Sequence, residues 1–433
     1  MASSLRKSLA SATCALLAAP CAQAENPHEI GDWDVSSAFL FYREPDRVQA
    51  LEPVISATRS LDTDESISFK LTLDTLTGAS GSGAVPSKVP QTFTRPSGVG
   101  SYVTPVNTHP LDDTFKDTRV ALAATWTRPS FWGTESELGF NVSNEYDYLS
   151  LGASASFAKS LSENNTTFST GFAVASDTIE PVGGAPIAFA RMQAPGETQS
   201  RESESKDKTM FDVIAGFTQV VDVNSLFQLN YAVSASDGYL NDPYKVVSIV
   251  DPVTGAPVFD SAQQPDLPNV VFENRPDART KHSVYGQYKR YLQGSGDILD
   301  TSYRFMLDDW GIRSHTLELK YRKTLPQRRF LQPRIRLYQQ GAADFYTPFF
   351  LSGTEPGAGE DSQYASADYR LGDFTGYTLG MEYGRVNQRN SWSIGVEYYL
   401  QSGSEPAGKI GDLLELELYP DVDALMFRLL YDF

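Results

Sequence analysis

The residues of this chain that could do chemistry fall into two kinds. The first is a set of charged side chains at every second position. Glu318, Lys320 and Arg322 alternate with Leu317, Leu319 and Tyr321, and Arg334 and Arg336 flank Ile335. Lys70, Asp74, Glu382, Glu397 and Arg428 sit in the same kind of alternation. Charges spaced by two project to one face of an extended strand. Opposite signs on neighbouring strands can pair across that face, or the face can line a polar pore and set its selectivity. The sequence leaves both readings open.

The second kind is a small set of residue types that serve catalysis or metal binding. Ser314-His315, with Asp308 and Asp309 nearby, has the composition of a hydrolase triad. A triad needs its Ser and His in hydrogen-bond reach. Adjacent residues on a strand point to opposite faces. A turn over Asp308–Gly311 with His315 at the mouth of the fold is the expectation, with no catalytic residue and no enzyme. The four His, at positions 28, 109, 282 and 315, have no zinc spacing. The acidic stretches Asp237–Asp242 and Glu355–Asp361 offer oxygen ligands for Ca²⁺ but no complete loop motif. Gly78–Gly83 lacks a following Lys-Ser/Thr, so it is no phosphate loop; it suits an external loop that folds back. No cofactor and no metal is expected.

The elements that must position these residues have a period of two. Trp33, Val35, Phe39 and Phe41 share one face, as do Ile67, Phe69, Leu71 and Leu73. Phe227, Leu229, Tyr231 and Val233 repeat the pattern, and so do Trp392, Ile394, Val396, Tyr398 and Leu400. This is the half-buried strand signal. It recurs in about sixteen segments of roughly 11–16 residues, long enough to cross a bilayer at the usual tilt. Loop lengths test that count. The links after even-numbered strands are short, around Asp62, Pro129, Glu163, Asp222, Gly294, Pro326 and Asn387. The long insertions, 79–116, 180–206, 239–277, 344–373 and 404–420, all follow odd-numbered strands. Outer-membrane barrels have short periplasmic turns and long external loops. The long loops carry Pro, Gly, Ser and acidic residues, in Gly78–Gly83, Pro86 to Pro96 and Glu355–Asp361, and read as solvated.

The start of the chain supplies a compartment. Arg6 and Lys7 precede an apolar stretch from Leu9 to Ala19, and Ala22-Gln23-Ala24 has the small-x-small form of a cleavage site. A cleaved signal over 1–24 is expected, leaving 25–433 as the mature domain. Both cysteines, Cys14 and Cys21, lie inside that signal, so disulfides and thiol chemistry are excluded from the rest. Acidic residues outnumber basic ones, 54 to 36, for a net charge of −18, which argues against a nucleic-acid partner. Loss of Arg6 and Lys7 takes −18 to −20. No later apolar run reaches the length of a spanning helix. Aromatics at 12% with 22 Tyr and 24 Phe suit a barrel that shows lipid every second residue. The expected fold is all-β: a single antiparallel transmembrane β-barrel in the outer membrane, in contact with its lipid.

The last strand completes the pattern. Phe433, Tyr431, Leu429, Phe427 and Leu425 form one apolar face, and Asp432, Leu430, Arg428 and Met426 the other. Such a strand resembles the assembly signal of bacterial outer-membrane proteins. The barrel-assembly machinery reads that signal by pairing a strand edge with it, which makes the machinery an expected partner.

Longer segments carry a family likeness. They are Arg47-Val-Gln-Ala-Leu-Glu-Pro53, Lys70 through Ala84 continuing to Phe93-Thr-Arg-Pro-Ser-Gly98, and Asp242-Pro-Tyr-Lys-Val-Val-Ser248. Asp309-Trp-Gly-Ile-Arg-Ser-His-Thr316 and Gln340-Gly-Ala-Ala-Asp-Phe-Tyr346 complete the set. Together they resemble the bacterial family known as domain of unknown function 3570, over nearly the whole mature chain. The resemblance implies an outer-membrane barrel and supplies no catalytic residues. Members are often encoded near thioredoxin-like proteins, a small lipoprotein and a flavin transferase, which implies an envelope lipoprotein or redox partner. Two functions are expected in turn. The first is a channel or transport-type barrel for small polar or charged solutes, or a conduit for an envelope partner. The other is a closed barrel acting as scaffold or surface-binding protein through loops 79–116, 239–277 and 344–373; an outer-membrane hydrolase stands behind both.

Overall fold

The computed structural model describes residues 31–433 apart from 46, 131–132, 260–265, 362 and 388–389. The expected signal segment 1–24, with Cys14 and Cys21, lies outside the described residues, as does His28. Alternating segments become sixteen strands that close into one barrel. They are β1 (Trp33–Arg43), β2 (Val48–Asp62), β3 (Glu65–Gly81), β4 (Leu111–Pro129), β5 (Glu135–Asn144), β6 (Tyr148–Leu161), β7 (Thr166–Ile179) and β8 (Lys206–Asp222). The second half is β9 (Ser225–Gly238), β10 (Ala278–Leu292), β11 (Asp297–Asp308), β12 (Arg313–Leu325), β13 (Arg329–Gln340), β14 (Phe374–Val386), β15 (Ser391–Gly403) and β16 (Val422–Asp432). Each strand pairs antiparallel with its chain neighbours, and β1 closes on β16 from Ser36↔Asp432 to Arg43↔Leu425.

The period-two pattern decides which face each residue takes. Leu317, Leu319, Ile335, Leu337, Leu379 and Val396 are exposed on the outer face, where hydrocarbon replaces water. At the periplasmic rim the outer face turns aromatic. Trp33 tilts against Phe69 at 6.4 Å, Tyr383 meets Trp392 edge-on at 5.7 Å, and Tyr431 meets Phe433 at 4.6 Å. Such rings suit the boundary between acyl chains and headgroups.

The external side departs from the solvated loops expected from composition. Strands β3 and β4 run beyond the expected 78 and 117, through a register shift between Gly78 and Ser80, so the first long loop shrinks to 82–110. Gly78 (φ +141°) is required there, because a Cβ would lie 1.9 Å from the Arg47 carbonyl oxygen. The loops then fold onto one another. Val246–Val250, Val270–Phe272 and Phe349–Leu351, from two different loops, form a three-stranded sheet. Two short hairpins flank it, Gln91–Thr94 with Ser101–Thr104 and Ala185–Pro186 with Arg201–Ser203. Apolar residues from four loops pack on both faces of this sheet. Phe93, Tyr102, Ala190, Val246 and Phe272 pack in one cluster, and Phe189, Val247, Ile249 and Val271 in another. A third joins Val85 and Val250 to Leu413 and Leu416. Each fully buried Phe or Val removes apolar area worth about 1.5–3 kcal/mol from water. The loops are therefore a folded cap. Glu355–Asp361, by contrast, is mostly exposed, as its composition suggests. Period-two reasoning misses the cap because its contacts join loops far apart in sequence.

Candidate functional site

Strand register places Lys70, Asp74, Glu318, Lys320, Arg322, Arg334, Arg336, Glu382, Glu397 and Arg428 on the inner face. Five of them join into one ionic chain. Glu318 on β12 holds Lys320 at 2.7 Å and Arg334 Nε at 2.9 Å. Arg334 reaches Glu397 at 2.8 Å, and Glu397 reaches Arg428 at 2.7 Å. Arg334 lies on β13 and Glu397 on β15, so the bridge passes over β14. Gly380 makes room: a Cβ there would lie 3.0 Å from Glu397 and 3.4 Å from Arg334. Gly395 likewise leaves a seat for the Arg428 guanidinium, 3.3 Å away. Arg322 donates to Gln332 at 2.8 Å and lies over Phe330, and Gln332 donates to Glu382. Asp74 lies 3.6 Å from Arg119, which also reaches Glu52 at 3.5 Å. Lys70 and Arg336 have no ion pair among the described residues.

Several inner-face groups were not singled out from sequence. Lys208 bridges Asp177 at 2.8 Å and donates to the Tyr148 hydroxyl. Arg279 grips Asp308 through Nε at 2.8 Å and lies over Trp310. The same alternation that flagged Lys320 would have found Glu52, Arg304 and Lys281. Ser314 is buried on the inner face. His315 is on the outer face rather than at the mouth, with Nδ1 2.7 Å from the Tyr303 hydroxyl. Strand alternation, which separates Ser314 from His315, sends the imidazole outward. The Asp308–Gly311 turn forms as expected, and Asp308 Oδ1 accepts from the backbone N–H of Trp310 and Ile312.

Under the cap sits a buried charge cluster with no period to reveal it. Lys245, Glu273 and Asp368 are all 3% exposed or less. Arg275 donates to Glu273 at 2.9 Å and to Asp368 at 3.0 Å, and Arg370 spans Asp368 (2.7 Å) and Asp242 (3.0 Å). Burial pushes Lys245 down, and with Asp368 pulling the other way it stands at about 8. Burial pushes Glu273 up, with Arg275 opposing. Burial would raise Asp368 too, but Arg370, Lys245 and Arg275 outweigh it and hold it well below the usual carboxylate range. Asp242, expected in a solvated acidic loop, is thus committed to Arg370. Bonds to the barrel wall tie the cluster down. Lys245 Nζ donates to the Gly81 carbonyl, and Gln340 Nε2 donates to the carbonyls of Arg370 and Gly372.

Two cavities border this assembly. One of about 170 Å³ lies between cap and wall, lined by Tyr148, Lys208, Asn241, Tyr244, Arg279 and Lys281 among others. A larger cleft of about 860 Å³ separates loop 82–110 from loop 404–421, with Arg47, Lys88 and His109 facing Glu415, Glu417 and Asp421. Asp117, Glu145 and Asp147 bring carboxylate oxygens within 4.8 Å of one another and could hold a cation. Neither acidic stretch picked out in the sequence makes such a group among the described residues.

A closed sixteen-strand barrel, apolar outside and charged inside, defines an outer-membrane β-barrel protein. Residues 6–433 match the family described as protein of unknown function (DUF3570), and the chain belongs to that family. No curated protein sequence matches it. Solved structures with a similar fold include OprB from Pseudomonas putida, 10% identical at TM-score 0.41, covering 93% of this chain and 94% of that one. A bacterial polysaccharide outer membrane secretin is 7% identical at TM-score 0.44, covering 94% and 99%. The siderophore receptor PirA from Acinetobacter baumannii is 8% identical at TM-score 0.40, with 86% of this chain matched to 53% of that receptor, about half its length.

Proposed function

We propose that this protein is a channel or transport-type barrel for small charged solutes, with its external mouth closed by the loop cap in the resting state. One observation carries the reading. Ionic side chains line the inner wall, and the loop cap that covers it at the external end is held by one buried charge cluster. A barrel serving only as a scaffold has no need of charged side chains such as Lys70 and Arg336 that lack an ion pair among the described residues. Catalysis is not part of this reading. The test is conductance of the full chain in planar bilayers. Wild type should conduct weakly, and Asp368→Ala, which leaves Arg275 and Arg370 without their shared carboxylate, should conduct several-fold more. Heat-modifiable, folded Asp368→Ala protein that leaves bilayers sealed would overturn it.

The alternative, a surface-binding scaffold, draws on the 860 Å³ external cleft. It requires a partner captured by the wild type and lost on Lys88→Glu, with conductance absent in both.

We also propose that the outward face Leu425, Phe427, Leu429, Tyr431 and Phe433 is read by the barrel-assembly machinery. Phe433 is 67% exposed, and its N–H donates to the Val35 carbonyl at 3.0 Å. Phe433→Asp should lower outer-membrane levels several-fold on immunoblots; normal levels would remove the idea.

A further inference from the structure

The inner face of β10–β13 is far more basic than the rest of the wall. By register it presents Arg279, Lys281, Lys289, Arg304, Lys320, Arg322, Arg334 and Arg336 against Asp300, Asp308 and Glu318. This sits within a chain whose net charge is −18. Pairing then leaves particular cations over. Lys281 stands opposite Asp308, but both Nε and Nη2 of Arg279 hold Asp308 Oδ2, and backbone N–H groups occupy Oδ1. Arg336 stands opposite Glu318, but Lys320 and Arg334 hold that carboxylate. Arg304 stands between Tyr285 and Thr316, with the Tyr285 ring 5.5 Å away and no ion pair among the described residues.

Lys281, Arg304 and Arg336 therefore form no ion pair among the described residues, and the carboxylates of Asp212 and Asp308 act on Lys281, and that of Glu318 on Arg336, only from farther off. Arg304 on β11 and Arg336 on β13 are one inner step apart in height, with short Thr316 and Ser302 beside them. Two strand spacings and that step of two residues separate their backbones by about 12 Å. Two guanidinium groups reaching inward from that distance leave a gap suited to a small oxyanion, which can accept bidentate bonds from either. Lys281 stands nearer the cap and lines the 170 Å³ cavity.

We propose that this wall is an anion site: Arg304 and Arg336 bind a small carboxylate or phosphate, and Lys281 continues the path toward the cap. The proposal rests on the channel reading for its use, but not for its test. Detergent-folded full-length protein is titrated with inorganic phosphate, and separately with acetate, by calorimetry. Saturable binding is expected, at least tenfold weaker in Arg304→Gln/Arg336→Gln and unchanged in Lys70→Gln, a cation on another part of the wall. Absence of binding, or equal binding in the double variant, overturns the anion site; preference for phosphate over acetate tells which oxyanion it takes. Reversal potentials across a KCl gradient, with Asp368→Ala protein, then separate the two claims. Anion preference lost in the double variant supports both. Cation preference overturns the anion path and leaves the channel, whereas sealed bilayers with phosphate binding intact sink the channel and leave the site.

Discussion

The barrel and its cap are built from the same chain with opposite relations to their surroundings. The barrel turns Leu319, Ile335 and Val396 outward and its charges inward. The cap buries Phe93, Phe189 and Val247 inside and leaves stretches such as Glu355–Asp361 in water. Each inverts where its solvent changes, at the external rim. Even so, both hide ion pairs. In the wall these chain sideways across strands through Glu318, Arg334 and Glu397; in the cap Arg275 from one loop meets Asp368 and Arg370 from another. An apolar core is needed where backbone pairing is short. Wall strands are held along their length by ladder bonds to both neighbours, whereas the loops share only short ladders and need an interior of their own.

Emptying one cap core should separate the cap from the barrel. Phe189→Ala should cost the cap about 3–5 kcal/mol, since its ring is fully enclosed. Limited proteolysis should cut the external loops much faster, while heat-modifiable migration of the barrel stays unchanged. Loss of both together would mean that cap and barrel fold as one unit. Leu319→Arg, at the centre of β12 on the lipid face, should cost the barrel about 2–4 kcal/mol and leave cap proteolysis alone. Urea midpoints in lipid vesicles report that loss.

Gly380→Val tests the ionic bridge across the wall. Its side chain would stand where Arg334 passes to Glu397, so a loss of about 1–3 kcal/mol is expected from crowding and a severed bridge. A double variant with Glu397→Gln should show non-additive losses if the bridge is the cause. The smallest effect concerns pH. Burial, with Arg47 nearby, lowers His109 from 6.5 to about 4. Between those values a released loop 82–110 takes up a proton that the docked loop refuses, so docking weakens as pH falls from 6.5 toward 4. Thiol labelling of Ser87→Cys should rise over that window relative to the same protein carrying His109→Gln; identical curves would exclude the imidazole.

Strand order, the faces of the ten inner charges and the short periplasmic turns were all legible, because a period of two survives in any half-exposed strand. Glu318 and Arg336 face each other as the pattern suggests, yet the bonds run diagonally to Arg334 and along the strand to Lys320. Alternation gives a side chain's face but not its rotamer. The bridge over Gly380 was hidden because it joins strands that are not neighbours. Lys245 and Asp368 were hidden more deeply, since Val246–Val250 and Phe349–Leu351 pair from separate loops with no common period. Composition made those loops look wet, and only their long-range contacts make them dry.

The seam between β1 and β16 sets an order of events. Ser37 donates to the Tyr431 carbonyl across 394 residues of sequence. Every other wall pair can form from segments already delivered, but this one waits for the far end of the chain. Contacts so distant make folding slow. Until the seam forms, the outer edge of Trp33–Arg43 offers unpaired N–H and C=O groups, an invitation to aggregate on the way to the membrane. A holding chaperone during transit, and a template strand at insertion, would each shield that edge.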